Sequence, residues 1–170
     1  IVTLAKAKVP VATMSVLVSA STAPSTLAGT LALCNAEQLA SLVIIKCANP
    51  EAPMIYAAEA VPADWKNAQM NYRAPEFLLL SSGCAQLARY YSLPSIVADI
   101  PLEEMPENLN SLERNVLKVA MAYMTRSTLA AWLGSMDFAL SASLVQLVID
   151  AEVCAQARSY LRNFLLNEET

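Results

Sequence analysis

The chain contains no histidine, so acid–base work falls to carboxylates, tyrosines or lysines, and Ser-His-Asp, Cys-His and histidine–metal arrangements are excluded. Two acidic residues stand out by position. Glu59 and Asp99 each close a short apolar run, Met54 to Glu59 and Ser95 to Asp99, and both runs read as strands. A carboxylate at a strand end can face a ligand. Thr22 belongs to the stretch Thr22-Ala-Pro-Ser-Thr26, where hydroxyls and a proline mark a turn after another apolar run. Tyr56 adds an aromatic ring within the Glu59 run. Glu37 lies among small helical residues and, if buried, needs a neighbouring backbone group or Arg89 as partner. Trp65 and Tyr72 fall in a polar loop, where they could edge a pocket or meet a partner domain, although packing is the ordinary use of a loop aromatic residue. Glu76 suits the first turn of a helix, where the dipole favours a negative charge.

The elements that hold these residues repeat one grammar of strand, turn and helix. A strand over Val11 to Val18 leads through a turn, Ser19 to Ser25, into a helix from Thr26 to Cys47, stopped by Asn49-Pro50 and Ala52-Pro53. Its expected inner face is Leu27, Leu31, Ala32, Ala36, Leu39, Val43 and Ile44. The strand Met54 to Glu59 is followed by the loop Ala60 to Arg73 and a helix from Pro75 to Tyr91, with proline in its first turn. A third strand, Ser95 to Asp99, precedes the loop Ile100 to Glu107 and an amphipathic helix spaced by Leu109, Leu112, Val116, Ala120 and Met124. The fourth strand is Thr128 to Gly134. Ser141 or Ser143 caps a last helix reaching Leu166, with Arg158 and Arg162 near its end.

Four alternating units predict an α/β fold with parallel strands, half of a TIM (β/α)8 barrel in a single domain over residues 1–170. A flavodoxin-like open sheet is the alternative. In a barrel the functional rim lies at the C-terminal ends of the strands, which nominates Ser21 and Thr22, Glu59, Asp99, and Ser135 to Asp137. Half a barrel exposes two sheet edges, so a homo-oligomer or the remainder of a longer chain is expected to cover them. The chain opens on Ile1, which points to a truncated N-terminus.

Composition narrows the partners. With 56% hydrophobic and 15% charged residues, the chain is far from the disordered class. Three glycines cannot build a phosphate cradle, so P-loop and Rossmann chemistry are excluded. Eleven scattered basic residues within a net charge of −4 argue against nucleic acid. The most apolar windows carry Asn35, Glu37 and Gln38, or Lys118 and Arg126, so no membrane span is expected. No secretory signal is visible. Cys34, Cys47, Cys84 and Cys154 form no C-x-x-C pair and read as buried free thiols in a reducing, cytoplasmic setting.

Several stretches resemble the trimethylamine methyltransferase family: Thr22-Ala-Pro-Ser-Thr-Leu-Ala-Gly29, Asn35-Ala-Glu-Gln-Leu-Ala40, Ala74-Pro-Glu76, Ala85-Gln-Leu-Ala-Arg-Tyr-Tyr91, Leu93-Pro94 and Leu147-Val-Ile-Asp-Ala-Glu152. The resemblance implies a barrel that moves a methyl group from a methylated amine, such as trimethylamine or glycine betaine, to the Co(I) of a corrinoid. That corrinoid rides on a separate protein, and this chain binds no cofactor or metal directly. It also implies that a cationic donor is held by carboxylates and aromatic faces, with Glu59, Asp99, Tyr56 and Thr22 as substrate-binding candidates; no catalytic residue is singled out. Ala20, Glu51 and Ser92 stand where the family pattern leads one to expect glycine, so turns needing positive φ should be strained there.

Overall fold

The computed structural model describes residues 1–67, 69–72, 74–98, 120–121, 124–136 and 140–160. A short helix α1 (Val2–Lys6), not anticipated from the sequence, precedes β1 (Val11–Ser19). Then follow α2 (Leu27–Ala48), β2 (Met54–Pro62), α3 (Pro75–Tyr90), β3 (Ser95–Ala98) and β4 (Leu129–Ala131). A two-stranded hairpin, β5 (Ser135–Met136) with β6 (Ser141–Ala142), leads into α4 (Leu144–Tyr160). Asp99, the loop from Ile100 to Glu107 and most of the helix expected around Leu109 to Met124 lie outside the described residues. So do Asp137 and the stretch beyond residue 160.

The four long-sheet strands are parallel and ordered β1-β2-β3-β4, as in the sequence. A flavodoxin-like sheet would place β1 between β2 and β3, so these strands are wound in one direction. The fourth strand is shorter than expected because Trp132 takes φ 65° and Gly134 φ 77°, which ends the extended run.

Alternation sorts the strand residues between two faces. Leu17 of β1 and Tyr56, Ala58 and Ala60 of β2 meet Cys34 of α2 and Leu80, Cys84 and Ala88 of α3 in the main core. Register pairs Met14 with Ala57 and Val16 with Glu59, which puts this second set on the opposite face. That face is partly open, for Met14 is 37%, Val16 43% and Leu129 48% exposed. At the strand N-termini, Ala5, Val11, Ile45, Ala52 and Met54 form a separate cluster.

Helix α2 starts where Thr26 Oγ1 accepts the Gly29 amide at 3.1 Å, an N-cap. Its buried stripe runs through Thr30, Cys34, Gln38 and Ile45. Ala32, Ala36, Val43 and Ile44, expected inside, are exposed instead. Small and polar residues face the sheet because they lie close to it and bond it: the Gln38 amide nitrogen donates to Thr13 O at 2.6 Å and Ala57 O at 2.7 Å, and its oxygen accepts from Ala57 N at 3.2 Å. Glu37, next to it, is exposed, and the Arg89 guanidinium donates to Thr125 O rather than to Glu37. By length and composition α2 could cross a membrane; here its Gln38 is fixed to strand backbone. Gly83 lets α3 approach α2, since a Cβ there would come within 2.7 Å of Leu31 Cδ1.

Cys34 and Cys84 are buried with their sulfurs 4.0 Å apart, and that contact together with burial pushes the Cys84 thiol up. Cys47 is exposed and Cys154 half-buried, which corrects the expectation of four buried thiols. Cys47 lies in the last turn of α2, off the stripe that meets the sheet. Two of the three positions expected to want glycine do take left-handed backbone, Ala20 at φ 64° and Ser92 at φ 55°, whereas Glu51 does not.

Candidate functional site

Glu59 lies inside β2, which continues to Pro62, so it is not at the strand end expected from the sequence. It is 2% exposed and points to the face opposite α2 and α3. Burying a carboxylate is costly unless its oxygens are bonded, and here both are. The Tyr72 hydroxyl donates to Oε1 at 2.7 Å and the Trp132 indole N–H donates to Oε2 at 3.0 Å. Indole can only donate, which fixes Oε2 as an acceptor. Two donors therefore serve the ionised form, while burial acts more strongly the other way and raises the Glu59 carboxyl above the usual glutamate range.

Each donor is placed by local sequence. After β2 the chain turns back on itself: Ala63 bridges Met70, Asp64 N donates to Gln69 O and Asn71 N donates to Pro62 O. Asp64 and Asn67 carboxylate and amide oxygens accept the backbone N–H two residues on, tightening that turn. The fold returns Tyr72 to the level of Glu59. Its ring stands edge-on to Phe77, 5.2 Å between centroids and 83° between planes, in a cluster with Val61, Ala85 and Met121. Met70 Sδ lies 3.2 Å from the same hydroxyl, but a thioether is a weak acceptor. Burial, and then Glu59, push the Tyr72 phenol above its ordinary range.

Trp132 follows β4 directly and reaches Glu59 from the far side of β3. Its carbonyl accepts the Ser135 amide at 3.0 Å, closing a turn that contains Gly134. Trp132 is 38% exposed, so a residue that closes on Glu59 is also partly open to solvent. The three side chains make a buried carboxyl group flanked by two aromatic donors.

The other sequence candidates fall elsewhere. Tyr56 is three positions before Glu59 and thus on the helix side, where its hydroxyl donates to Asn35 Oδ1 at 3.2 Å and burial lifts its phenol well above the ordinary range. Thr22 stands in the turn after β1, its Oγ1 accepting Val18 N at 2.9 Å. Ser21 shares that turn through Val18 O. Ser135 is buried in β5, Trp65 is 82% exposed, and Asp99 and Asp137 lie outside the described residues. Tyr72, which the sequence offers as a pocket edge or as packing, does enter the site, whereas nothing in the sequence singles out Trp132. A tryptophan at the end of an apolar run looks like core, and its contact to Glu59 spans 73 residues of chain. The one usable signal was the Gly134 break beside it.

All of residues 1–170 match the family model for trimethylamine methyltransferase. The trimethylamine methyltransferase MttB1 of Methanosarcina mazei is 31% identical over 162 residues, 95% of this chain and 32% of its own length. The trimethylamine methyltransferase MttB of Desulfitobacterium hafniense is 26% identical, covering 98% of this chain and 34% of its own. A glycine betaine methyltransferase of Desulfitobacterium hafniense strain Y51 is likewise 26% identical, over 91% and 33% respectively. The chain thus spans about a third of the relatives it matches.

Proposed function

The chain belongs to the trimethylamine methyltransferase family, and we propose on that footing that it is the donor-binding part of an enzyme that removes a methyl group from a methylated amine. The observation that carries this reading is the Glu59 carboxylate, buried between Tyr72 and Trp132. A quaternary ammonium has no N–H to donate, so it is recognised by charge and by aromatic faces, with tryptophan the strongest. A carboxylate withdrawn from water attracts such a cation far more than an exposed one. Glu59 supplies the charge, Tyr72 and Trp132 hold its oxygens in place, and the exposed part of the Trp132 ring gives the methyl groups a surface.

In this reading the partly open sheet face is the inner wall of a (β/α)8 barrel, whose further staves belong to the length of the relatives that this chain does not cover. The methyl acceptor is proposed to be the Co(I) of a corrinoid on a separate protein, which supplies the nucleophile when bound. The chain offers no histidine as an axial ligand to cobalt, which is compatible with that division of labour. Its own contribution is to bind the donor and aim one methyl outward, because proximity and alignment govern such a transfer. A cytoplasmic setting goes with that chemistry.

Mixing the protein with a Co(I) corrinoid protein and a panel of methylated amines, and following the cobalamin spectrum, tests this. Formation of methylcobalamin with at least one donor, lost in Glu59→Gln, is expected. Its absence with every donor removes the reading for this chain. The exposed Met14, Val16 and Leu129 favour one other reading, a non-catalytic half-barrel that pairs with itself. Light scattering that finds a stable monomer excludes that alternative.

A further inference from the structure

Asp150 lies on α4, outside the site, and is fully buried. Its Oδ2 accepts the Gly134 amide at 2.8 Å and its Oδ1 accepts the Gln146 side-chain amide at 2.7 Å. A second bond ties the same glycine to the start of the helix, since Ser143 N donates to Gly134 O at 2.9 Å. Contact completes the attachment: a Cβ on Gly134 would come within 2.9 Å of Leu147 Cβ and 3.2 Å of Ser143 O, and the φ of 77° favours glycine. The turn is therefore bolted to α4 through both polar groups of one residue. Two positions earlier the same turn holds Trp132, in left-handed backbone, with its indole on Glu59.

We propose that Asp150 is a positioning residue for the cation site: by gripping the Gly134 amide it fixes the turn that aims the Trp132 indole at Glu59. The inference rests on the cation-site reading for its meaning but not for its geometry. The left-handed Trp132 sits in a turn whose Gly134 is fastened to α4 on both of its polar groups. Removing the Asp150 carboxylate leaves a buried amide without its acceptor and lets the turn relax, whereas asparagine keeps an oxygen for that amide. Gln146 acts one step further out, orienting the carboxylate by its second oxygen.

The chain has two tryptophans, and Trp65 is exposed and outside the site. A Trp65→Phe background therefore leaves one indole N–H proton resonance and one emitting ring, both from Trp132. In that background Asp150→Ala is expected to move the indole proton upfield as its bond to Glu59 loosens, to shift the emission to the red, and to weaken tetramethylammonium binding about tenfold. Asp150→Asn is expected to restore most of all three. An Asp150→Ala protein that melts earlier yet keeps the parental indole resonance, emission and affinity overturns the proposal, since Asp150 would then be only a helix anchor. Should Asp150→Ala fail to fold, Gln146→Leu is read in the same way, with a change of about threefold expected and an unchanged Trp132 signal counting against the proposal. Should the parent bind no tetramethylammonium while the Trp132 resonance still responds to Asp150→Ala, the positioning role stands and the cation reading falls.

Discussion

Ser92→Gly is expected to stabilise the protein by about 0.5–1 kcal/mol. Ser92 follows the C-cap of α3 with φ 55°; its amide donates to Arg89 O at 3.0 Å, and the Leu93 amide donates to Ala88 O at 2.9 Å. These are the two bonds of a Schellman stop, and Leu87 and Leu93 pack against the same core cluster, as that motif favours. The stop needs a left-handed residue. For a side chain with a Cβ this conformation costs roughly 1–2 kcal/mol, and the larger freedom of glycine in the unfolded chain takes back roughly 0.5–1 kcal/mol. The remainder favours glycine. At about 2–4 °C per kcal/mol for a chain of this size, the melting midpoint should rise by about 1–4 °C, and the urea midpoint should rise with an unchanged slope. Ser92→Ala retains the Cβ and should stay within about 0.5 kcal/mol of the parent. Ala20→Gly, at φ 64°, should repeat the gain. The two turns lie at opposite ends of the parallel sheet, so the double variant should show the sum. A Ser92→Gly midpoint equal to that of Ser92→Ala, or below it, would refute the reasoning.

Glu59 links stability to pH with a definite sign. Its folded carboxyl is raised, chiefly by burial, so between the unfolded value, about 4.3, and the folded one the native state holds a proton that the unfolded chain has lost. Stability should accordingly grow as pH falls through the folded value and lessen as it rises. Glu59→Gln, with urea midpoints measured from pH 7 down to 4.5, should remove that slope and raise stability at pH 7; an identical pH profile in the two proteins contradicts the assignment. Gln38→Leu should cost about 2–4 kcal/mol in urea unfolding, because Ala57 N, Ala57 O and Thr13 O lose a partner beneath α2. A loss under about 1 kcal/mol would mean that water or the strands themselves take over those bonds.

Strands and helices were legible because their signals are local. Apolar runs bounded by prolines set β1, β2 and β3, and Pro75 opens α3 where its missing N–H does no harm. Ser143 does cap α4, accepting Gln146 N at 3.3 Å. The inner stripe of α2 was misread because apolar residues fall on every side of the helix, so periodicity could not say which side would meet the sheet. What decided it was the Gln38 amide, which bonds strand backbone at Thr13 and Ala57. Of the site, Glu59 was visible as an acidic residue ending an apolar run. Tyr72 was visible as a candidate pocket edge but not as the partner of Glu59, since nothing in the loop after β2 announces that Asp64 and Asn67 will fold it back. Trp132 and Asp150 become meaningful only when the turn after β4 is set against α4.

Parity along β2 explains why this strand can serve core and site together. Tyr56, Ala58 and Ala60 point to α2 and α3, where the phenol finds Asn35 and two alanines let the helices close on the sheet. Ala57, Glu59 and Val61 point the other way, so the lone acid of β2 arrives on the face where Tyr72 and Trp132 donate to it. A slip of one residue would exchange the sets. It would place the Glu59 carboxylate against the buried Cys34 and Cys84 thiols and leave Tyr56 facing the open side. Nine consecutive paired positions between β1 and β2, from Val11 with Met54 to Ser19 with Pro62, hold against that slip. The bridge from Gln38 to both strands adds a lock that only one register satisfies. The chemistry of the site is thus secured from behind, by an uncharged amide on the helix face whose task is to keep an acid on the opposite one.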